Sequence, residues 1–220
     1  MSAATPLRVE VVSDVVCPWC YIGKRRLEKA LALVGGSLAA QVSWLPFQLN
    51  PDIPTEGMLR AEYRRAKFGS LERGRQLDAR VAAEGRGEGI VFALERIERT
   101  PNTFAAHQLI DLAQQAGTGG AVVDALFRAY FEEARDVGDR GVLLGIAEAA
   151  GLARADVEAR WADAAEAQRV AQLEESMKAL GISGVPTFIL ERKFGVSGAQ
   201  PPEALAEAMR EAAGTRLAAN

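Results

Sequence analysis

The chain has 220 residues, of which 49% are hydrophobic and 25% charged, with a net charge of −3 and a pI of about 5.4. This composition predicts a globular protein with a sizeable core, and it excludes the basic excess that would hold a nucleic acid. The sequence contains neither an apolar run long enough to span a membrane nor a secretory signal, so we expect a cytoplasmic protein that binds neither nucleic acid nor a membrane.

The first fifty residues predict a strand, a helix and a second strand. LRVEVVS (7–13) alternates and is rich in valine, which is typical of a strand. YIGKRRLEKALALV (21–34) places apolar residues at helical spacing, and the GGS at 35–37 is expected to end that helix. QVSWLPFQLN (41–50) predicts a second strand, in which Pro46 indicates a sheet edge or an irregularity. This order is typical of a parallel strand pair.

The remainder predicts a helical block followed by a return to strands. Residues 55–180 are mostly helical in pattern, including 58–69, and only 89–101 is extended or irregular. VPTFILE (185–191) and KFGVSG (193–198) predict two short strands before a final helix with proline in its first turn. We therefore expect an α/β fold whose two ends, 1–54 and 182–220, build one sheet-containing domain, with 55–181 as an all-helical insertion domain.

Both cysteines of the chain lie in SDVVCPWCYIG (13–23), at Cys17 and Cys20. In a reducing compartment a structural disulfide is not expected, and such a small loop gives little entropic stabilisation. A closed zinc site needs about four ligands, whereas the chain has two cysteines and one histidine, so no metal is expected. The spacing favours a redox-active dithiol. Two buried cysteines acting as small hydrophobes, or half of a zinc site completed by a dimer partner, are the alternatives.

The predicted junction of strand and helix suggests different roles for the two thiols. With Pro18 at the first helical position, the helix N-terminus points at Cys17 and favours a thiolate there. Cys20 is one turn further in, and we expect it to be more buried and less ionised. Cys17 would therefore form a mixed disulfide that Cys20 resolves.

GISGVPTFIL (181–190) is the second candidate segment of the site. The proline at the start of this predicted strand removes a hydrogen-bond donor, which is unusual and calls for an explanation. If the Val185–Pro186 bond is cis, a tight bend would present the Val185 backbone beside the thiols for pairing with an extended substrate. A plain edge proline is the alternative.

Six further residues have both a functional and a structural interpretation. His107, the only histidine, either faces the cleft above Cys17 or packs within the helical domain, and the second is favoured. Asn102 and Thr103 are expected to cap a helix rather than bind substrate. Trp19 and Tyr21 could flank the thiols. We expect Trp19 to be partly exposed and Tyr21 to be packed in the interior. Asp14 could accept a proton from Cys20, although a solvated loop aspartate is the preferred interpretation.

Taken together, VVSDVVCPWCYIGKRRLEKAL, PNTFAAHQLIDLA, ALFRAYFEEARDVGD and GVPTFILERKFGVSGAQPPEAL resemble the DsbA family, and more narrowly the FrnE-type dithiol–disulfide oxidoreductases. The resemblance runs along nearly the whole chain and implies a thioredoxin-like fold with a large helical insertion. It implies that Cys17 is the exposed nucleophile and Cys20 the resolving cysteine. Pro18 and Trp19 match the dipeptide that sets the redox poise, and Pro186 matches the cis-proline with Val185 before it.

The resemblance also defines partners and an alternative enzyme. A disulfide- or dithiol-bearing protein or small molecule is the expected substrate, no cofactor is expected, and the chain acts as a monomer or homodimer. The second cysteine pair of some FrnE-type proteins is absent, so the redox partner must be external. Related kappa-class glutathione transferases and 2-hydroxychromene-2-carboxylate isomerases share the segment matched by Asn102, Thr103, Ala106 and His107, but typically have serine in place of Cys17. Glutathione therefore stays a candidate co-substrate, and a non-enzymatic chaperone-like module is the third alternative.

Overall fold

The computed structural model describes residues 6–35 and 38–218. Its main sheet has four strands in the order β2-β1-β5-β6, made of β1 (Leu7–Ser13), β2 (Ala40–Pro46), β5 (Thr187–Leu190) and β6 (Phe194–Ser197). β1 pairs in parallel with β2 and antiparallel with β5, and β5 pairs antiparallel with β6. The two ends of the chain therefore build one sheet, as the sequence predicted.

Helices make up most of the rest of the described chain. Between β1 and β2 runs α1 (Pro18–Val34), and after β6 comes α9 (Pro202–Ala218), which contacts α1. The intervening region contains α2 (Arg60–Phe68), α3 (Leu71–Gly87), α4 (Phe104–Gln115), α5 (Gly119–Phe131), α6 (Arg140–Ala149), α7 (Arg154–Ala162) and α8 (Ala164–Ala179). None of the helices in the described residues is both long and apolar enough to cross a membrane.

Most predicted elements are present, with shorter strands than expected. β2 ends at Pro46, at the edge of the sheet, so the predicted extension to residue 50 is wrong. β5 begins only at Thr187, and Glu191 and Arg192, both with positive φ, form the turn to β6. The predicted helix end after Val34 is correct, while residues 36 and 37 lie outside the described residues.

The sequence analysis missed a second, two-stranded sheet. β3 (Met58–Leu59) pairs antiparallel with β4 (Arg99–Thr100), so the helix expected over 58–69 begins at Arg60 instead. The irregular segment predicted at 89–101 consists of one 3-10 turn, Leu94–Arg96, followed by β4. This small sheet joins the start of α2 to the segment preceding α4. The division into domains at residues 54/55 and 181/182 stays a prediction.

The core extends from the sheet into the helical region without interruption. Tyr21 on α1 is fully buried and stacks on Phe127 of α5, with ring centroids 5.1 Å apart. Phe131 and Phe92 pack around the same ring. The apolar residues of α5 are buried at Val122, Val123, Leu126, Phe127, Tyr130 and Phe131. Aromatic packing therefore holds the cysteine-bearing helix against the helical region.

Candidate active site

Cys17 lies at the boundary between β1 and α1, where the sequence placed it. Its backbone is extended (φ −90°, ψ 112°), and Pro18 follows as the first helical residue. Its N–H donates to the Asp14 carbonyl at 3.0 Å, and its own carbonyl accepts from Cys20 N at 3.0 Å. The first turn of α1 carries no acidic residue, so no carboxylate within that turn offsets the positive end of the helix dipole next to Cys17.

The Cys17 thiol is buried rather than exposed. Only 4% of the residue is accessible, which corrects the expectation of an exposed nucleophile. The chain at Val185 lies against it, and the Cys17 thiol donates to the Val185 carbonyl oxygen at 3.6 Å.

Cys20 occupies a deeper position on the same helix, as predicted. It is 1% exposed, and both cysteines are in the reduced form. Burial raises the pKa of the Cys20 thiol well above its usual value, and the hydrogen bond and charge of Cys17 raise it further. Hydrogen bonds from the Ser13 side chain and the Asp14 backbone act in the opposite direction. Cys20 is therefore a protonated thiol at neutral pH.

The Val185–Pro186 peptide bond is cis, the first of the two alternatives considered for this proline. The carbonyl of Pro186 accepts a hydrogen bond from Gly198 N at 2.8 Å, which ties the bend to the end of β6. Pro186 is buried and lies directly against α1, where a Cβ built on Gly23 would be 2.9 Å from Pro186 Cγ. The glycine thus allows the close approach of this bend to the cysteine-bearing helix.

The two residues between the cysteines are partly accessible. Pro18 and Trp19 both have intermediate exposure, and Trp19 packs with one part of its ring system against the core. The prediction that Trp19 is partly exposed is therefore correct. Val185, whose carbonyl accepts from the Cys17 thiol, is also of intermediate exposure.

Asp14 is not a solvated loop residue. It has no accessible surface, and its Oδ2 accepts a hydrogen bond from Leu49 N at 2.8 Å, because the segment after β2 folds over it. Its Oδ1 lies 3.5 Å from His107 Nε2. His107 is itself 4% exposed, so it neither faces an open cleft nor packs as a satisfied core histidine. Among the described residues its Nε2 has no hydrogen-bond partner.

Tyr21 and Asn102 make packing and hydrogen-bond contacts that support the structure. Tyr21 is packed inside, as preferred from the sequence, and its hydroxyl donates to Glu132 Oε1 at 2.6 Å. Asn102 Oδ1 accepts from Phe104 N at 3.0 Å, and its Nδ2 donates to the Ile53 carbonyl at 2.8 Å. The expected capping of α4 therefore comes from Asn102, whereas Thr103, at the N-cap position, makes no side-chain capping bond to the described chain.

Two residues near the thiols were missed from the sequence. Ser13, the last residue of β1, hydrogen-bonds Cys20. Tyr63 on α2 is partly buried, which raises the pKa of its phenol, and it is close enough for the charges of Asp14 and Cys17 to add to this effect. A tyrosine in a charged amphipathic helix carries no sequence signal for such a position. Ser13 directly precedes Asp14, so its proximity to the motif was the only available indication.

A wide pocket lies away from the cysteines. It has a volume of about 770 Å³ between α2, α3 and the segment at 92–98, and neither Cys17 nor Cys20 lines it. Within the described chain, no group of three or more histidine, cysteine, aspartate or glutamate residues could hold a metal ion.

The sequence model of the DSBA-like thioredoxin domain matches residues 8–210. The chain belongs to this family. Its match covers both cysteines, the helical region and the Val185–Pro186 bend, and it confirms the suspected DsbA relationship. The thioredoxin-like fold with a helical insertion is likewise confirmed by the sheet order and by similar structures.

Individual relatives agree with this family. A crystal structure of a probable DsbA oxidoreductase from Streptomyces coelicolor is 37% identical, with a TM-score of 0.86 over 94% of this chain and 90% of that one. An uncharacterized Bacillus subtilis protein, YwbO, is 28% identical and aligns with 84% of this chain and 86% of its own length. The cytosolic disulfide reductase DsbM from Pseudomonas aeruginosa, solved with GSH, is 23% identical with a TM-score of 0.61, over 96% of this chain and 99% of that one; this likeness shows the fold alone.

A 2-hydroxychromene-2-carboxylate isomerase also shares the fold, with a TM-score of 0.70 at 17% identity, over 97% of this chain and 99% of that one. Membership in the DsbA-like family and the 37% identical Streptomyces structure support a thiol–disulfide oxidoreductase or isomerase as the class of activity.

Proposed function

We propose that the protein is a dithiol–disulfide oxidoreductase in which Cys17 is the nucleophile and Cys20 the resolving cysteine. The observation that carries this proposal is the placement of Cys17 Sγ at the N-terminus of α1, 3.6 Å from the Val185 carbonyl, with Cys20 one turn deeper. A helix N-terminus stabilises a thiolate, and the neighbouring backbone carbonyl is suited to pair with an extended substrate.

The reaction proceeds by two exchanges. The Cys17 thiolate attacks a substrate disulfide R–S–S–R′, forming Cys17–S–S–R and releasing R′–S⁻. Cys20, after losing its proton, attacks the Cys17 sulfur, which forms the Cys17–Cys20 disulfide and releases R–S⁻. The substrate disulfide gains two electrons and the enzyme dithiol loses two, so an external thiol must reduce the enzyme again.

The residues next to Cys17 indicate how substrates would be held. Pro18, Trp19 and Val185 are partly exposed, so their apolar side chains are available to a substrate, while the Val185 carbonyl offers a polar contact at the Cys17 thiol. This combination fits a short extended peptide or a small thiol compound carrying the reacting sulfur. Glutathione is such a compound and is proposed as the reducing co-substrate, in line with the DsbM structure solved with GSH. In the cytoplasmic location predicted from the sequence, the protein would rest as the dithiol.

The competing functions have weaker support. A glutathione-dependent isomerase rests on a likeness of fold at 17% identity, and the intact dithiol of this chain is not needed for that chemistry. A chaperone-like module would retain its activity without either thiol. Both alternatives therefore make a prediction opposite to ours for a Cys17→Ser, Cys20→Ser double variant.

The test uses single cysteine variants and a disulfide-bearing peptide. We expect Cys17→Ser to abolish exchange and Cys20→Ser to accumulate a mixed disulfide at Cys17, detected by intact mass. Equilibration of the native protein in glutathione buffers, followed by Trp19 fluorescence, should show one reversible two-electron couple. Full exchange activity in Cys17→Ser, or the absence of any reversible couple, would refute the proposal.

A further inference from the structure

Two buried polar atoms beneath the cysteines have no hydrogen-bond partner in the described chain: Asp14 Oδ1 and His107 Nε2, 3.5 Å apart. Burying such groups without partners costs free energy, so an unsatisfied pair at a reactive site calls for a functional explanation. Asp14 is held in place by Leu49 N on its other oxygen, and its own backbone carbonyl accepts from Cys17 N. The pair is therefore fixed directly behind the catalytic motif.

A small interior cavity lies between Ser13 and His107. The cavity is lined by the polar residues Ser13, His107 and Asp111 together with apolar side chains, and its volume is about 10 Å³. That volume is close to what one water molecule requires. Ser13 also hydrogen-bonds the Cys20 thiol, so a path of hydroxyl, water and imidazole leads away from Cys20.

The other ionisable groups near the cavity either form ion pairs or belong to the cysteine site itself. Asp111, one turn after His107 on α4, lines the same cavity, but its carboxylate pairs with Arg169 and lies 3.8 Å from Arg160. On α2, Tyr63 is close enough to Asp14 for the charge of that carboxylate to raise the pKa of its phenol. On α1, the ionisable groups are the two thiols, Cys17 and Cys20. Asp14 and His107 are thus the pair in this neighbourhood whose facing atoms lack partners among the described residues.

We propose that His107, oriented by Asp14, is the internal proton acceptor for Cys20, reached through the Ser13 hydroxyl and one water molecule in the cavity. The proposal rests on the function proposed above and names the groups that make its second step possible. The resolving thiol needs such an acceptor, because burial keeps Cys20 protonated at neutral pH and only a thiolate attacks a disulfide.

The proton leaves Cys20 before the disulfide is exchanged. Cys20–SH gives its proton to Ser13, which passes a proton through the water to His107 Nε2, and the Asp14 carboxylate faces the resulting imidazolium. The Cys20 thiolate then attacks Cys17–S–S–R, the Cys17–Cys20 bond forms, and R–S⁻ departs with the electron pair of the broken bond. In the reductive direction the same proton returns from His107 to Cys20. Ser13 touches the reacting sulfur, whereas Asp14 and His107 are positioning residues that act through it.

The experiment separates the two thiols in one trace. Reduced protein is mixed with dithiobis-nitrobenzoate: attack by Cys17 releases one thionitrobenzoate, and resolution by Cys20 releases a second. We expect Asp14→Asn and His107→Gln to leave the first phase within about twofold and to slow the second by about 100-fold at neutral pH, the lower end of what a general base contributes. The second-phase rate of these variants should also rise about tenfold per pH unit, more steeply than in the native protein.

Gln108→Leu is the matched control, because Gln108 is also buried on α4, with an Nε2 that lacks a partner in the described chain, but does not line the cavity. It should leave both phases unchanged. An unaltered second phase and pH slope in both Asp14→Asn and His107→Gln would overturn the inference.

If either substitution abolishes both phases through misfolding, the Ser13→Ala variant tests the relay instead. A second phase slowed about tenfold or more, with an intact first phase, supports the relay, and an unchanged second phase refutes it. A failure of the proposed function gives a different result: the native protein would lack the second phase, or Cys17→Ser would retain the first at its native rate.

Discussion

The close approach of Pro186 to α1 makes a quantitative prediction for Gly23→Ala. The new methyl group would lie 2.9 Å from Pro186 Cγ and 3.3 Å from Phe188 Cζ, so the bend or the helix must shift. Overpacking of this kind costs about 1–3 kcal/mol. Replacing a helical glycine by alanine gains about 1 kcal/mol of helix propensity, so the net effect ranges from neutral to a loss of about 2 kcal/mol.

Gly145→Ala is the matched control, because Gly145 lies inside α6, is exposed, and a Cβ built there meets nothing within 4 Å. This variant should gain about 1 kcal/mol from helix propensity alone. The difference between the two variants, about 1–3 kcal/mol, is then the cost of the contact with the bend.

Urea denaturation followed by tryptophan fluorescence measures both values, and an unchanged m-value shows that the unfolding reaction is the same. We also expect Gly23→Ala, and not Gly145→Ala, to slow the first thionitrobenzoate phase, because Val185 adjoins the Cys17 thiol. If Gly23→Ala stabilises the protein as much as Gly145→Ala, the packing argument is wrong.

Two further predictions concern stability. Burial raises the pKa of Tyr130 to about 12, so the phenol loses its proton at a lower pH in the unfolded chain than in the folded protein. Below about pH 10 the phenol is neutral in both states and the folded protein keeps its full stability. As the pH rises from about 10 to about 12, the free energy of unfolding should fall by about 3 kcal/mol. Urea titrations across that range should show the decline, and Tyr130→Phe should flatten it; an identical slope in the variant would contradict the assignment. Asp139 caps α6 by accepting from Val142 N at 2.9 Å, so Asp139→Ala should lower the free energy of unfolding by about 1 kcal/mol, whereas no measurable loss would show that the cap contributes nothing.

The order of elements could be predicted because it depends on local patterns. Alternating valines before the CPWC motif, helical spacing after it, and glycine and proline at element ends were sufficient to predict β1, α1 and the return to strands near residue 187. The placement of Cys20 as the deeper thiol followed from its position one turn into α1. These inferences use only residues close together in the chain.

The environment of the site could not be predicted in the same way, because it is built by contacts between distant residues. Asp14 is buried because a segment 35 residues later folds over it and donates Leu49 N. Cys17 is covered by Val185, 168 residues away. Tyr63 reaches the neighbourhood of the thiols only through the arrangement of α2 on the small β3–β4 sheet. No local pattern encodes any of these approaches.

The pairing of β1 with β5 has a consequence for the growing polypeptide on the ribosome. β1, α1 and both cysteines are synthesised first, yet the strand and bend that cover Cys17 emerge only after the whole helical region. Throughout most of translation the thiols therefore exist without the Val185 backbone that would align a disulfide with them. Under the proposed function, the nascent chain thus carries both thiols long before it has the bend that completes the exchange site, and exchange can begin only when its last fifth has been synthesised.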